Sequence, residues 1–177
     1  YIYHTLNGTR IFFFGSGTSS GRADYQLWKI VAADGRAAFV GDATTASTAA
    51  TSGYDTNKNL LVAYDGATTS STAGGRRYTY SYTSTNGGRT RLSGVLVEIR
   101  NGGSWTGAIT VAEVAYDYYS GSSSFGLDGQ LSSATVTEPL SDGSSHVRET
   151  HYRYYVETYG SGHRGNPGDL KYVIAPE

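Results

Sequence analysis

The chain contains no cysteine and no methionine, it has only three prolines, and charged residues make up just 16% of it. Without cysteine there are no disulfides and no thiolate ligands, which excludes a disulfide scaffold and a zinc ribbon. A reading frame begins with methionine, so a chain opening on YIYHTLNG reads as a processed or excised segment of something longer. Its other end, GDLKYVIAPE, halts just after a strand-like run. Ordinary globular chains are about 25% charged. Here 14 basic and 15 acidic residues leave a net charge of -1, spread without blocks, so neither nucleic acid nor an anionic lipid surface is expected as a partner. No apolar run approaches the roughly 20 residues of a membrane-spanning helix, and the strongest, RIFFFG at Arg10–Gly15, is strand-sized. Helical periodicity is missing as well: no stretch sustains apolar residues at i, i+3, i+4 and i+7 between caps.

What is present favours strands and turns: 24 glycines, 16 tyrosines and abundant serine and threonine. Alternation at period two recurs. In RRYTYSYT the rings of Tyr78, Tyr80 and Tyr82 share one face, because successive Cβ atoms on a strand point in opposite directions. Asn86-Gly87-Gly88 then supplies the positive-φ residues of a tight turn. In LSGVLVEIR, Val95, Val97 and Ile99 lie opposite Leu96, Glu98 and Arg100. Two strands and a turn make a hairpin. The fold class expected is all-β, an antiparallel β-hairpin array, with a two-layer β-sandwich as the alternative, and residues 1–177 form a single β-rich segment.

The hairpin grammar repeats: a tyrosine-containing strand, a glycine- or asparagine-containing turn, then leucine and an aliphatic strand. The leucines are Leu27, Leu60, Leu92, Leu131 and Leu170, at intervals of 33, 32, 39 and 39 residues. A recurrence in this range marks an array whose units cannot bury a face alone. The Ser/Thr/Gly stretches Asp42–Gly53, Asp65–Gly75 and Tyr119–Gly126 read as loops inserted at one rim. From about Tyr25 onward the chain resembles the tyrosine/aspartate (YD) repeats of bacterial Rhs-type and teneurin-like proteins. The likeness is carried by Tyr54-Asp55 with Asn59-Leu60, Tyr64-Asp65-Gly66, Tyr116-Asp117, Gly129-Gln130-Leu131, and the Tyr-x-Tyr of Tyr78–Tyr80 and Tyr152–Tyr154. It implies a secreted or cell-surface bacterial β-sheet array, either a wound shell or an extended hairpin ribbon, and it implies no activity.

The chemistry-bearing residues do not assemble into a catalytic or cofactor-binding set. His4, His146, His151 and His163 show no metal-ligand spacing. Asp117, Asp128, Glu138, Glu149 and Glu157 contain enough carboxylates for a glycoside-cleaving pair, but most fall at turn edges or on polar strand faces, where Arg100, Arg148 or Arg153 would pair with them across the ladder. No Gly-x-Ser-x-Gly elbow is present, and GSGTSSG and GNPG have no helix start behind them to hold a phosphate. The tyrosines read as cross-strand packing, with a sugar-stacking face formed by Tyr78, Tyr80, Tyr82 and Tyr154 as the second reading. Asn7-Gly8-Thr9 is an N-x-Thr sequon, and Thr44, Thr45, Thr48, Thr68 and Thr69 lie in tracts suited to O-linked sugars.

Residues 1–15 are strongly β-prone, and such a strand must pair within its own sheet or be donated to a neighbouring subunit. Together these features lead us to expect a non-enzymatic, extracellular bacterial structural protein, glycosylated in its loops. It would be a surface or fibre subunit forming a homo-oligomer or filament by strand pairing. A carbohydrate-binding β-sandwich is the alternative.

Overall fold

The computed structural model describes residues 1–18, 21–41, 46–67, 75–84, 88–101, 103–121, 123–156 and 165–176. Within these, eleven strands and one short helix follow one another. The strands are β1 (Ile2–His4), β2 (Arg10–Phe13), β3 (Leu27–Val31), β4 (Ala37–Val40), β5 (Val62–Ala67), β6 (Arg76–Ser84), β7 (Thr90–Asn101), β8 (Ser104–Tyr118), β9 (Leu131–Pro139), β10 (Ser145–Tyr154) and β11 (Leu170–Ile174). The helix α1 (Ala46–Gly53) lies between β4 and β5. All eleven strands belong to one antiparallel sheet whose spatial order is the order of the sequence. The fold is therefore an all-β hairpin array, as the alternation predicts. By contacts the chain divides into two compact units, Tyr1–Tyr80 with Leu96–Val111, and Ser81–Val95 with Ala112–Glu177.

Four of the five leucines occupy one setting. Leu27, Leu60, Leu131 and Leu170 each stand opposite an aromatic residue: Phe13, Tyr54, Tyr118 and Tyr154 respectively. Two residues before each leucine the backbone enters the left-handed region, at Tyr25 (φ 62°), Lys58 (66°), Gly129 (75°) and Gly168 (94°). The residue after each aromatic donates its N–H to the carbonyl just before the leucine, from Phe14 to Gln26 at 2.9 Å, Asp55 to Asn59 at 3.0 Å, Tyr119 to Gln130 at 2.9 Å and Tyr155 to Asp169 at 3.0 Å. A register shift precedes the aromatic at Phe12/Phe13, Asp117/Tyr118 and Arg153/Tyr154. Such a bulge bends the strand and raises its twist just before the turn.

At Tyr54 the bulge has grown into an excursion that carries α1. Gly41 N–H donates to Val62 O at 2.9 Å and Leu61 N–H to Gly53 O at 2.7 Å, so the chain leaves at Gly41 and returns at Gly53 on neighbouring rungs. The glycines make the narrow neck. A Cβ on Gly41 would lie 2.2 Å from the Ala49 carbonyl oxygen and 2.5 Å from the Gly53 nitrogen. Residues 42–53 are thus not wholly loop, as their Ser/Thr content suggests, because Ala46–Gly53 is helical. A helix this short does not hold alone. Ala49 and Ala50 are fully buried against Phe14, Ala23, Val40 and Tyr54, with Leu27, Trp28 and Leu60 around them. Phe14 stacks on Trp28 at 5.6 Å between ring centroids and meets Tyr54 edge-on at 6.4 Å. Burying a phenylalanine in this way contributes about 1.5–3 kcal/mol.

The other face of the first unit carries a cross-strand row in register, Phe12, Lys29, Phe39, Tyr64 and Arg77. Rings and cations share it: Lys29 Nζ sits 4.5 Å from the Phe12 centroid, and the Arg77 guanidinium lies 5.1 Å from that of Trp105. In the second unit no apolar side chain is buried among the described residues. Residues 1–15 pair within the chain's own sheet, as a β1–β2 hairpin.

Candidate functional site

The residues singled out as ligand-stacking candidates do not form an exposed platform. Tyr78, Tyr80, Tyr82 and Tyr154 are all half-buried. The Tyr78 hydroxyl donates to Asp65 Oδ2 at 2.7 Å, and burial, together with that carboxylate, pushes its pKa up. Burial alone raises Tyr80. Tyr154 meets Tyr119 edge-on at 6.4 Å and is likewise raised, chiefly by burial. Of the glycosylation candidates, Asn7 is exposed at the β1–β2 turn, where its Oδ1 accepts from Thr5 Oγ1 and from Thr9 N–H. Thr48 is exposed on α1. Thr44, Thr45, Thr68 and Thr69 lie outside the described residues, as do His163 and Glu157.

The remaining carboxylates have local partners. Glu138 accepts from Arg148 at 2.8 Å and lies 3.7 Å from His146 Nδ1, and Glu149 is 3.7 Å from His151. Asp117 and Asp128 both border a concavity of about 330 Å³ in the second unit, with Ser84, Ser93 and Tyr118 among its walls. Asp128 Oδ1 accepts the Gly121 N–H at 2.8 Å, and both aspartates are exposed. Among the described residues no three histidine or carboxylate groups gather as metal ligands would.

Period-two alternation places Glu98 with Leu96 and Arg100, opposite Val95, Val97 and Ile99. The structure buries it, with Arg77 donating to its Oε2 at 2.9 Å, beside Trp105, which packs against Tyr64 at 5.4 Å. A charged residue inside an apolar strand with an arginine one strand earlier is the sequence signal for such a pair, but alternation cannot say which face is covered.

Two further contacts each tie one repeat to the repeat before it. Tyr54 Oη donates to the carbonyl of Leu27 at 2.8 Å, and Tyr118 Oη donates to the carbonyl of Leu92. In each case the tyrosine that faces one repeat's leucine is hydrogen-bonded to the preceding repeat's leucine. The fifth leucine, Leu92, joins the series here. Successive turns are coupled also. Gln130 Nε2 donates to Gly168 O at 2.9 Å, Tyr119 Oη to Tyr152 O at 2.8 Å, and Tyr154 N–H to Phe125 O at 2.8 Å. Gly126 and Gly165 lie against the rings of Tyr119 and Tyr155, where a Cβ would fall 2.2 Å from a ring carbon in each case.

The strands that follow the leucines, β3, β5 and β9, each have an antiparallel neighbour on both sides, and among the described residues β11 pairs with β10 alone. Its alternate N–H and C=O groups therefore point away from the sheet. Leu170, Tyr172, Val173 and Ile174 are each at least half exposed, on both faces of the strand. No protein-family model matches the chain, and no curated protein matches it.

Proposed function

We propose that the chain is a non-enzymatic structural module: a run of YD-like hairpin repeats from a bacterial surface or fibre protein, which assembles by antiparallel strand pairing. One observation supports this reading: β11 begins at the repeat's leucine as β3 and β9 do, and its Leu170, Tyr172, Val173 and Ile174 are each at least half exposed, on both faces of the strand. An exposed apolar strand of this kind accepts another antiparallel strand beside it, and a second copy supplies one. Apolar side chains on both faces with a single lysine, Lys171, fit a strand that is to be flanked rather than one guarded against pairing. The Ser/Thr tracts and the exposed Asn7 supply the positions for sugar in an extracellular setting.

The reading is tested by sedimentation and negative-stain imaging across a range of concentrations. Wild-type protein forms dimers or longer assemblies as concentration rises, and Tyr172→Lys with Ile174→Lys remains monomeric with an unchanged far-ultraviolet circular dichroism spectrum. A wild-type chain that stays monomeric throughout removes the assembly role.

A further inference from the structure

We propose that Tyr1 and Tyr25 form an oxidative cross-linking site, at which a peroxidase with a hydroperoxide joins the two phenol rings and fastens strand β1 to the turn before β3. Among the described residues four tyrosines are mostly exposed: Tyr1 at 72%, Tyr3 at 62%, Tyr25 at 59% and Tyr172 at 59%. Only Tyr1 and Tyr25 among these four face each other, with ring centroids 5.9 Å apart and planes inclined by 30°. Tyr119 and Tyr154, another tyrosine pair, are half-buried and edge-on, and the Tyr119 hydroxyl is already bonded. The phenol oxygens of Tyr1 and Tyr25 have no hydrogen-bond partner among the described residues, so each can release its proton as it gives up an electron.

Both rings are held in place by backbone. Phe13 N–H donates to Tyr1 O at 2.8 Å and the Tyr1 amino group donates to Phe13 O at 3.1 Å, which clamps Tyr1 to β2. Tyr25 sits at φ 62°, within a turn closed by Gln26 N–H to Ala23 O at 2.9 Å. Two reacting groups fixed next to each other react as one molecule, and that advantage over collision is large. The chain has no cysteine, so a phenol–phenol bond is a covalent clasp open to it where a disulfide is not.

The step balances. Each tyrosine loses one electron and its hydroxyl proton to become a phenoxyl radical. The two radicals join carbon to carbon at ring positions next to the oxygens, and the displaced ring hydrogens return to the oxygens, restoring both phenols. Hydrogen peroxide takes up the two electrons and two protons and leaves as two waters. This inference stands apart from the assembly reading, since the bond lies within one chain.

Dilute protein is treated with hydrogen peroxide and a haem peroxidase, and in parallel with a ruthenium photo-oxidant and persulfate, so that exclusion of the enzyme does not decide the outcome. The expected result is dityrosine fluorescence and a monomer lighter by two hydrogens, mapping by proteolysis and mass spectrometry to Tyr1 joined to Tyr25. Its yield is unchanged on dilution. Tyr1→Phe and Tyr25→Phe abolish it, while Tyr3→Phe leaves it intact, all three variants keeping the parent circular dichroism spectrum. Dityrosine that forms only between molecules, or that persists within the chain in Tyr25→Phe, overturns the proposal.

Discussion

Two tyrosine hydroxyl groups add a side-chain tie between repeats to the strand ladder that already joins them. Tyr54 is buried, and its Oη supplies a hydrogen bond to the Leu27 carbonyl of the preceding repeat. Tyr54→Phe keeps the ring packing and strips that bond, so urea unfolding should show a loss of about 1–2 kcal/mol. Tyr118→Phe, at a half-buried site, should lose about 0.5–1.5 kcal/mol. The left-handed turn position offers a converse pair. Lys58 holds φ 66° with a side chain, at a strain cost that glycine escapes, less the entropy that glycine adds to the unfolded chain. Lys58→Gly should therefore stabilise by roughly 0.5–1 kcal/mol, and Gly129→Ala at the equivalent position should destabilise by about 1–2 kcal/mol. The same turn contains a titrating group. Burial pushes the Asp55 carboxyl up, but the Asn59 side chain and the N–H groups of Asn59 and Asn57 outweigh it and hold the pKa below the usual 3.8. A depressed carboxylate stabilises the fold above its unfolded pKa, and that contribution is lost as pH falls through the folded value. The stability advantage of wild type over Asp55→Ala should therefore be constant at neutral pH and shrink below about pH 4, read by thermal melts across that range.

At the scale of elements the strands were legible and their interruptions were not. Period-two alternation over Arg76–Ser84 and Thr90–Asn101 corresponds to β6 and β7, because a half-covered strand must alternate. Gly129 and Gly168 announce their left-handed turns, since glycine is the residue that reaches that conformation without strain. Tyr25 and Lys58 adopt the same conformation unannounced, because there the surrounding turn imposes it. Helix α1 was hidden for a related reason. Its eight residues, ASTAATSG, carry no acidic residue in the first turn and no basic residue in the last, and its stability comes from Ala49 and Ala50 packing against Phe14 and Tyr54. Long-range burial of that kind leaves no local pattern to read. The excursion that delivers α1 depends on its neck: Gly41→Ala must move either the Ala49 carbonyl or the Gly53 backbone and must also hold φ at 64° with a side chain. A loss of about 2–4 kcal/mol is expected. Near-ultraviolet circular dichroism of the Phe14–Trp28–Tyr54 cluster should weaken with it, whereas Gly17→Ala, where a Cβ meets nothing within 4 Å, should cost less and leave that signal in place.

For the molecule as a whole, the five leucines and their spacing could be read from the sequence, but the exposure of β11 could not, because alternation does not say which strand lies beside which. Order also limits how two copies join. Every pairing described in the fold is antiparallel, that of β11 with β10 included, so a strand added on the other side of β11 belongs antiparallel as well. A copy turned by a two-fold axis normal to the strands at that edge offers its own β11, antiparallel and with the same face outward. Like ends should therefore meet, giving an isologous contact that closes as a dimer. The absence of native cysteine allows one label per chain at a chosen place. Spin labels on Lys171→Cys should broaden one another at concentrations where dimers form, whereas labels on Thr5→Cys should stay narrow. Removing residues 1–9 should leave the dimer intact. Broadening at Thr5→Cys in the dimer, with none at Lys171→Cys, would mean that β1 rather than β11 makes the first contact, and the repeat-based assignment of the pairing edge would be wrong.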